Sequence, residues 1–108
     1  MGLVLGVTRV RVVGPSMEPA LRNGDWWLVR RTARLRVGDA ALMVHPRRPD
    51  ALIVKRLARR DSDGWWVLGD NPDASEDSRR FGVVPESLVV GRLWWRYRPL
   101  RHRTPGQG

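Results

Sequence analysis

Residues 12–21, VVGPSMEPAL, set a lone serine between a Gly-Pro step and a second proline. Gly14, Pro15 and Pro19 fix the backbone around Ser16, which suits a plain surface turn and suits a nucleophile equally well. A serine hydroxyl attacks a carbonyl only when a neighbouring base takes its proton. The chain has no cysteine and two histidines, His45 and His102, the second in a Pro/Arg-rich tail. Of the 20 Lys+Arg residues 19 are arginine, which leaves a single lysine, Lys55. Arginine stays protonated in proteins, whereas a buried lysine can lose its proton and accept another. Lys55 follows the apolar run ALIV, and burial among Leu52, Ile53, Val54 and Leu57 predicts a lowered pKa. A strand-end lysine reaching into solvent is the plain alternative.

The segment GDNPDASEDSRRFGVVP (69–85) concentrates acidic residues in a basic chain: Asp70, Asp73, Glu76 and Asp77, with Glu86 just beyond. A solvated, turn-rich loop is the bland reading. In the sharper one, Asp77 pairs with Arg79, and Ser75 or Ser78 orients a nearby amine.

The elements that must position these groups read as strands. TRVRVV alternates Val10 and Val12 with Arg9 and Arg11. The turns NGD (23–25) and VGD (37–39) lead into WWLVRR and AALMVH. ALIVKRLARR (51–60) and WWVLGD (65–70) flank Asp63-Gly64, a hairpin signal. SLVVGRLWWRYR forms the last strand, after a stretch without periodicity from Gly69 to about Gly82. Strands at this spacing predict an all-β domain, a small coiled sheet or partly open barrel, over residues 1–98, with a disordered tail over 99–108. Tryptophan occurs as three adjacent pairs, Trp26-Trp27, Trp65-Trp66 and Trp94-Trp95. On a strand each pair should send one indole inward and one outward.

Composition bounds the function further. A chain of 108 residues makes one modest domain. Without cysteine and with so few histidines, no metal site and no cofactor are expected. A net charge of +9 and a pI near 11.7 leave nucleic acid and anionic lipid open as partners. The apolar start MGLVLGV is too short for a membrane span and lacks the features of a signal peptide. The expected location is the cytoplasm, with peripheral membrane contact through arginines and outward tryptophans as a variant.

Three blocks in order, GPSMEPAL..GDWWLV, VKR and GDNPDASEDSR.FGVVP, resemble the type I signal peptidases and related Ser/Lys proteases over residues 12–90. The resemblance implies that Ser16 is the nucleophile and Lys55 the general base. It implies that Ser75 orients the lysine amine, that Asp77 and Arg79 form a supporting salt bridge, and that Asp70 and Asn71 hold the loop. The Ser16 N–H would supply half of an oxyanion hole. Some members carry a serine two residues before the nucleophile, where this chain has Gly14, and Pro15 has no N–H to offer. Only 13 residues separate Lys55 from Gly69, and this minimal form resembles the maturation proteases of nickel-type superoxide dismutase. The substrate that implies is a precursor protein with a flexible N-terminal extension. The alternatives are an anchor-less signal peptidase relative acting on exported precursors and a basic β-barrel stacking single-stranded nucleic acid on tryptophan. The nucleic-acid reading accounts for the charge but for neither the lone lysine nor the acidic loop. A repressor-type self-cleaving domain is disfavoured, since no DNA-binding domain or cleavage loop is visible.

Overall fold

The computed structural model describes residues 7–31 and 34–97. Six strands account for most of them: β1 (Val7–Arg11), β2 (Trp26–Arg30), β3 (Ala40–His45), β4 (Arg48–Asp61), β5 (Gly64–Leu68) and β6 (Val89–Tyr97). A one-turn helix, α1 (Ser78–Phe81), and two 3-10 turns, Pro72–Ala74 and Glu86–Leu88, fill the connection between β5 and β6. The strands form one antiparallel sheet in the order β1-β2-β6-β3-β4-β5. It is an open sheet, not a barrel, with β1 and β5 at its edges.

The strands follow from period-two patterning, and the same alternation builds two apolar clusters. Ala41 and Met43 of β3 and Leu57 of β4 join Trp65, Val67, Phe81 and Val84 in the first, with Ile53 packed against it. Ala40 of β3 joins Val12, Met17 and Leu21 in the second, with Trp27, Val54 and Leu93 packed against it. Consecutive residues of β3 and β4 thus feed opposite faces of the sheet. Lys55 lies opposite Ala41 in the ladder and shares its face with Ile53 and Leu57. Two of the neighbours expected from sequence do not surround it. Val54 serves the other cluster, and Leu52 is 60% exposed.

The β4–β5 hairpin is where the sequence places it, but its turn is Ser62-Asp63, closed by the Asp61–Gly64 pair. Gly64 (φ +146) opens β5, where a Cβ would lie 2.1 Å from the Val84 carbonyl oxygen. The expected tail, 99–108, and His102 lie outside the described residues.

Of the tryptophan pairs, one follows simple alternation: Trp65 is buried and Trp66 half-buried. Trp26 and Trp27 are both half-buried. Trp94 and Trp95 are both exposed, at 46% and 60%. The cause is a register shift, since Leu28 pairs with Trp95 and Val29 with Leu93, so Trp94 is an extra residue that breaks the alternation.

Trp65 joins the sheet to the segment after α1. Its N–H and carbonyl both bond Val84, at 2.8 Å each, while its indole is 1% exposed in the first cluster. Trp65→Ala should therefore cost about 3–5 kcal/mol, read as a lower denaturant midpoint. A loss below about 1 kcal/mol would mean that the cluster does not depend on this ring.

Candidate active site

Ser16 sits on a turn held from three directions. Upstream, the Val12 N–H donates to the Asp25 carbonyl at 2.8 Å and the Gly24 N–H to the Val12 carbonyl at 2.7 Å. Gly14, at φ +90, takes a left-handed conformation that glycine adopts without strain, and its N–H donates to Asn23 Oδ1 at 2.9 Å. That N–H is therefore engaged, so Gly14 shapes the turn and is no free donor for an oxyanion. Downstream, Glu18 N–H closes the turn on the Pro15 carbonyl at 3.0 Å. Met17 and Leu21, 1% and 2% exposed, anchor the segment in the second cluster. Ser16 is left half-buried, and among the described residues neither its hydroxyl nor its backbone N–H is taken up by a hydrogen bond.

The third hold comes from the far edge of the sheet. Just after β5, Asn71 clamps both carbonyls around the serine: its N–H donates to Ser16 O at 2.8 Å and its Nδ2 to Pro15 O at 3.1 Å. The Asp70 N–H approaches Met17 Sδ at 3.4 Å, and the Asp70 carboxylate takes both the Nε (3.2 Å) and Nη2 of Arg56. Arg56 also bonds the Gly38 carbonyl at 3.0 Å. Asp70 and Asn71 thus tie the loop to β4 on one side and to the serine turn on the other.

Gly69 is the crossing point. A Cβ there would lie 1.7 Å from Ser75 Oγ and 2.9 Å from the Ser16 carbonyl oxygen. No side chain fits between them, so only glycine lets the serine turn and the Ser75 segment close on the same strand end. Ser75 Oγ is in turn 3.2 Å from Lys55 Nζ. Lys55 is 4% exposed, and burial lowers its pKa from 10.5, opposed by the negative charges of Asp77 and then Glu76. Ser75 thus stands between Gly69 and the Ser16 backbone on one side and the Lys55 amine on the other, and among the described residues no hydrogen bond joins Lys55 Nζ to the Ser16 hydroxyl.

Asp77 supports this arrangement from beneath, with its side chain 1% exposed. Its Oδ2 accepts from the Gly69 N–H at 3.0 Å and from Arg79 Nη2 at 2.7 Å. Its Oδ1 accepts from Arg79 Nε at 2.9 Å and from the Arg79 N–H at 3.1 Å, capping α1. Burial alone would raise the carboxyl's pKa, but these bonds hold it down at about 2. Arg79 stays half exposed, so this is a buried carboxylate with a solvated partner. Ser78, the other serine considered for the amine, instead accepts from the Val67 N–H at 2.8 Å and is structural.

Gly69, Asn23, Arg56 and the buried His45 stand outside the sequence-derived set. Asn23-Gly24 was the available signal, whereas the partners of His45 and Arg56, Glu76 and Asp70, lie 31 and 14 residues away in the chain. Among the described residues no cluster of His, Cys, Asp or Glu could hold a metal ion. No described helix is long and apolar enough to cross a membrane.

The family model described as Peptidase S24-like matches residues 6–82, which include Ser16, Lys55 and Ser75. Mitochondrial inner membrane protease subunit 1 of Xenopus tropicalis is 33% identical over 116 residues, covering 85% of this chain and 70% of that protein. The mitochondrial ATP-independent inner membrane protease subunit 1a of Arabidopsis thaliana is 32% identical over 120 residues, covering 86% and 71%. Signal peptidase IB of Staphylococcus aureus is 47% identical over a shorter stretch of 34 residues, 32% of this chain and 18% of that protein. These relatives are inner membrane proteases and a signal peptidase, which corrects the narrower kinship with nickel superoxide dismutase maturation proteases that the sequence suggested. The chain belongs to the Peptidase S24-like family, related to the signal peptidases, and is a serine-type peptidase.

Proposed function

We propose that this protein is a Ser/Lys endopeptidase that removes an N-terminal segment from a precursor protein. The observation that carries the reading is the gathering at Gly69. The chain's one lysine is buried with its amine on Ser75, and Ser75 and the backbone of Ser16, whose hydroxyl is unengaged, close on Gly69 together. In this mechanism Ser16 Oγ attacks the scissile carbonyl as its proton passes to Lys55 Nζ. The tetrahedral oxyanion is met by the Ser16 N–H. Collapse breaks the C–N bond, and the Lys55 ammonium returns the proton to the leaving amine. The neutral Lys55 amine then takes a proton from water as its oxygen attacks the acyl-serine, and the ammonium returns that proton to Ser16 Oγ as the acyl C–O bond breaks and the new carboxyl terminus leaves. An open sheet whose β1 edge has no neighbouring strand among the described residues suits an extended, flexible substrate segment taken up as an added strand.

Two substrate readings differ in where that segment comes from. The sequence blocks suggest the precursor of nickel-type superoxide dismutase, whereas the names of the relatives suggest precursors handled at a membrane. Both candidates, incubated with enzyme and chelator, can be compared by mass spectrometry. A single new N-terminus that vanishes with Ser16→Ala identifies the substrate, and cleavage of the secretory-type precursor alone would remove the dismutase reading.

Ser16→Ala and Lys55→Arg should each abolish cleavage while leaving the fold intact, as read by circular dichroism. Lys55→Arg keeps the charge but stays protonated and so cannot accept the serine proton, and a well-folded Lys55→Arg protein with full activity would refute the dyad.

The neutral amine is the active form, so activity should rise with pH through one group whose midpoint lies below the ordinary lysine value of 10.5. A midpoint at or above that value in a pH–rate profile would contradict a buried base.

Asp77 has a sign-specific signature in stability. Its folded pKa lies below the ordinary value of 3.8, so its contribution is fully present above about pH 4 and fades as pH falls towards about 2. Asp77→Asn should lower stability at pH 7 by about 1–2 kcal/mol and flatten the acid limb. Parallel stability–pH curves for the two proteins would show that the carboxylate contributes nothing.

A further inference from the structure

His45 is 4% exposed at the end of β3, yet the reaction above makes no use of it. Its ring is closely constrained. Nδ1 accepts from the Arg47 N–H at 3.0 Å, the ring packs against Phe81 at 4.8 Å between centroids, and Nε2 lies 2.8 Å from Glu76 Oε1. Because Nδ1 accepts, the proton of the neutral ring sits on Nε2 and is donated to Glu76. Glu76 stands between Ser75, bonded to the Lys55 amine, and Asp77, bonded to the Gly69 N–H.

The backbone here is extended, with Ser75 at φ −125 and ψ 128 and Asp77 at φ −144 and ψ −162. In such a stretch alternate side chains point to opposite sides. Ser75 and Asp77 turn towards the site, and Glu76 turns away from it to His45. The segment is therefore held from both sides, Ser75 and Asp77 on the inner side and Glu76, through His45, on the outer.

We propose that His45 and Glu76 form a positioning pair that sets the direction of the Ser75 hydroxyl, and through it the Lys55 amine. The inference rests on the Ser/Lys reading above and adds residues that do not touch the reacting atoms. The charged groups around the pair are Arg48 and Arg80 beside Glu76, with Asp77 and Glu76 facing Lys55.

The test separates the hydrogen bond from the charge. Glu76 is half exposed, so its variants should fold. Glu76→Gln keeps an oxygen to accept from His45 Nε2–H but loses the negative charge, whereas Glu76→Ala loses both. In Glu76→Ala the plateau kcat of the folded protein should fall about tenfold or more with KM unchanged, because the base is misdirected but the substrate is not touched. Glu76→Gln should restore most of that plateau and retain only an acid-shifted pH midpoint. The Lys55 amine, followed by NMR in 15N-lysine-labelled protein, should titrate differently in the two variants. Identical plateaus and identical amine titrations in Glu76→Ala and Glu76→Gln would overturn the pair. Lys55→Arg serves as the control: if it still cleaves, the dyad reading fails, and the amine titration still reports separately on the pair.

Discussion

The site depends on a carboxylate that has been taken out of water and fully satisfied. Asp77 is surrounded by donors from Gly69 and from the backbone and guanidinium of Arg79, so its charge is held while its solvent is removed. That one group fixes where β5 ends, caps the short helix that follows, and places a negative charge near a buried amine. The amine is consequently subject to two opposed influences, burial driving the proton off and Asp77 drawing it back. Burial is the larger influence on Lys55. A general base benefits from that balance, because it must accept a proton readily and give it up again.

Geometry enters through the absence of a side chain. β1 and β5 are opposite edges of the sheet, yet the segments following them meet at Gly69. Asn71 then locks the meeting by taking the carbonyls of Pro15 and Ser16. The serine is thus fixed by bonds to its own backbone, which leaves its side chain uncommitted. The prolines that flank it restrict the same backbone from within the chain.

Much of this could be read from the sequence because it is local or compositional. Alternating patterns gave the strands, a solitary lysine stood out against arginine, and Asp77 and Arg79 are close enough in the chain to suggest their pairing. What escaped was set by contacts across long separations. Nothing in residue 45 announces a partner at residue 76, and nothing in Gly69 announces that two serines crowd it. Strand geometry also misled where neighbours in the chain were taken for neighbours in space: Leu52 and Val54 do not share the face of Lys55, and one inserted residue, Trp94, turned its pair outward. The affinity for nickel superoxide dismutase processing was read from short blocks, whereas similarity over most of the chain leads to the inner membrane proteases.

An open sheet also exposes backbone that could pair with a neighbouring molecule, and here the two edges are guarded by different means. At β5 the reciprocal bonds between Trp65 and Val84 occupy part of the rim with the chain's own backbone. At β1 no strand among the described residues covers the outer side, but Arg9 and Arg11 are both exposed along it. A second molecule approaching that rim in antiparallel fashion would bring like charges together, which disfavours edge-to-edge association. The arginine richness of the chain thus has a colloidal consequence, keeping an unclosed sheet from templating its own aggregation.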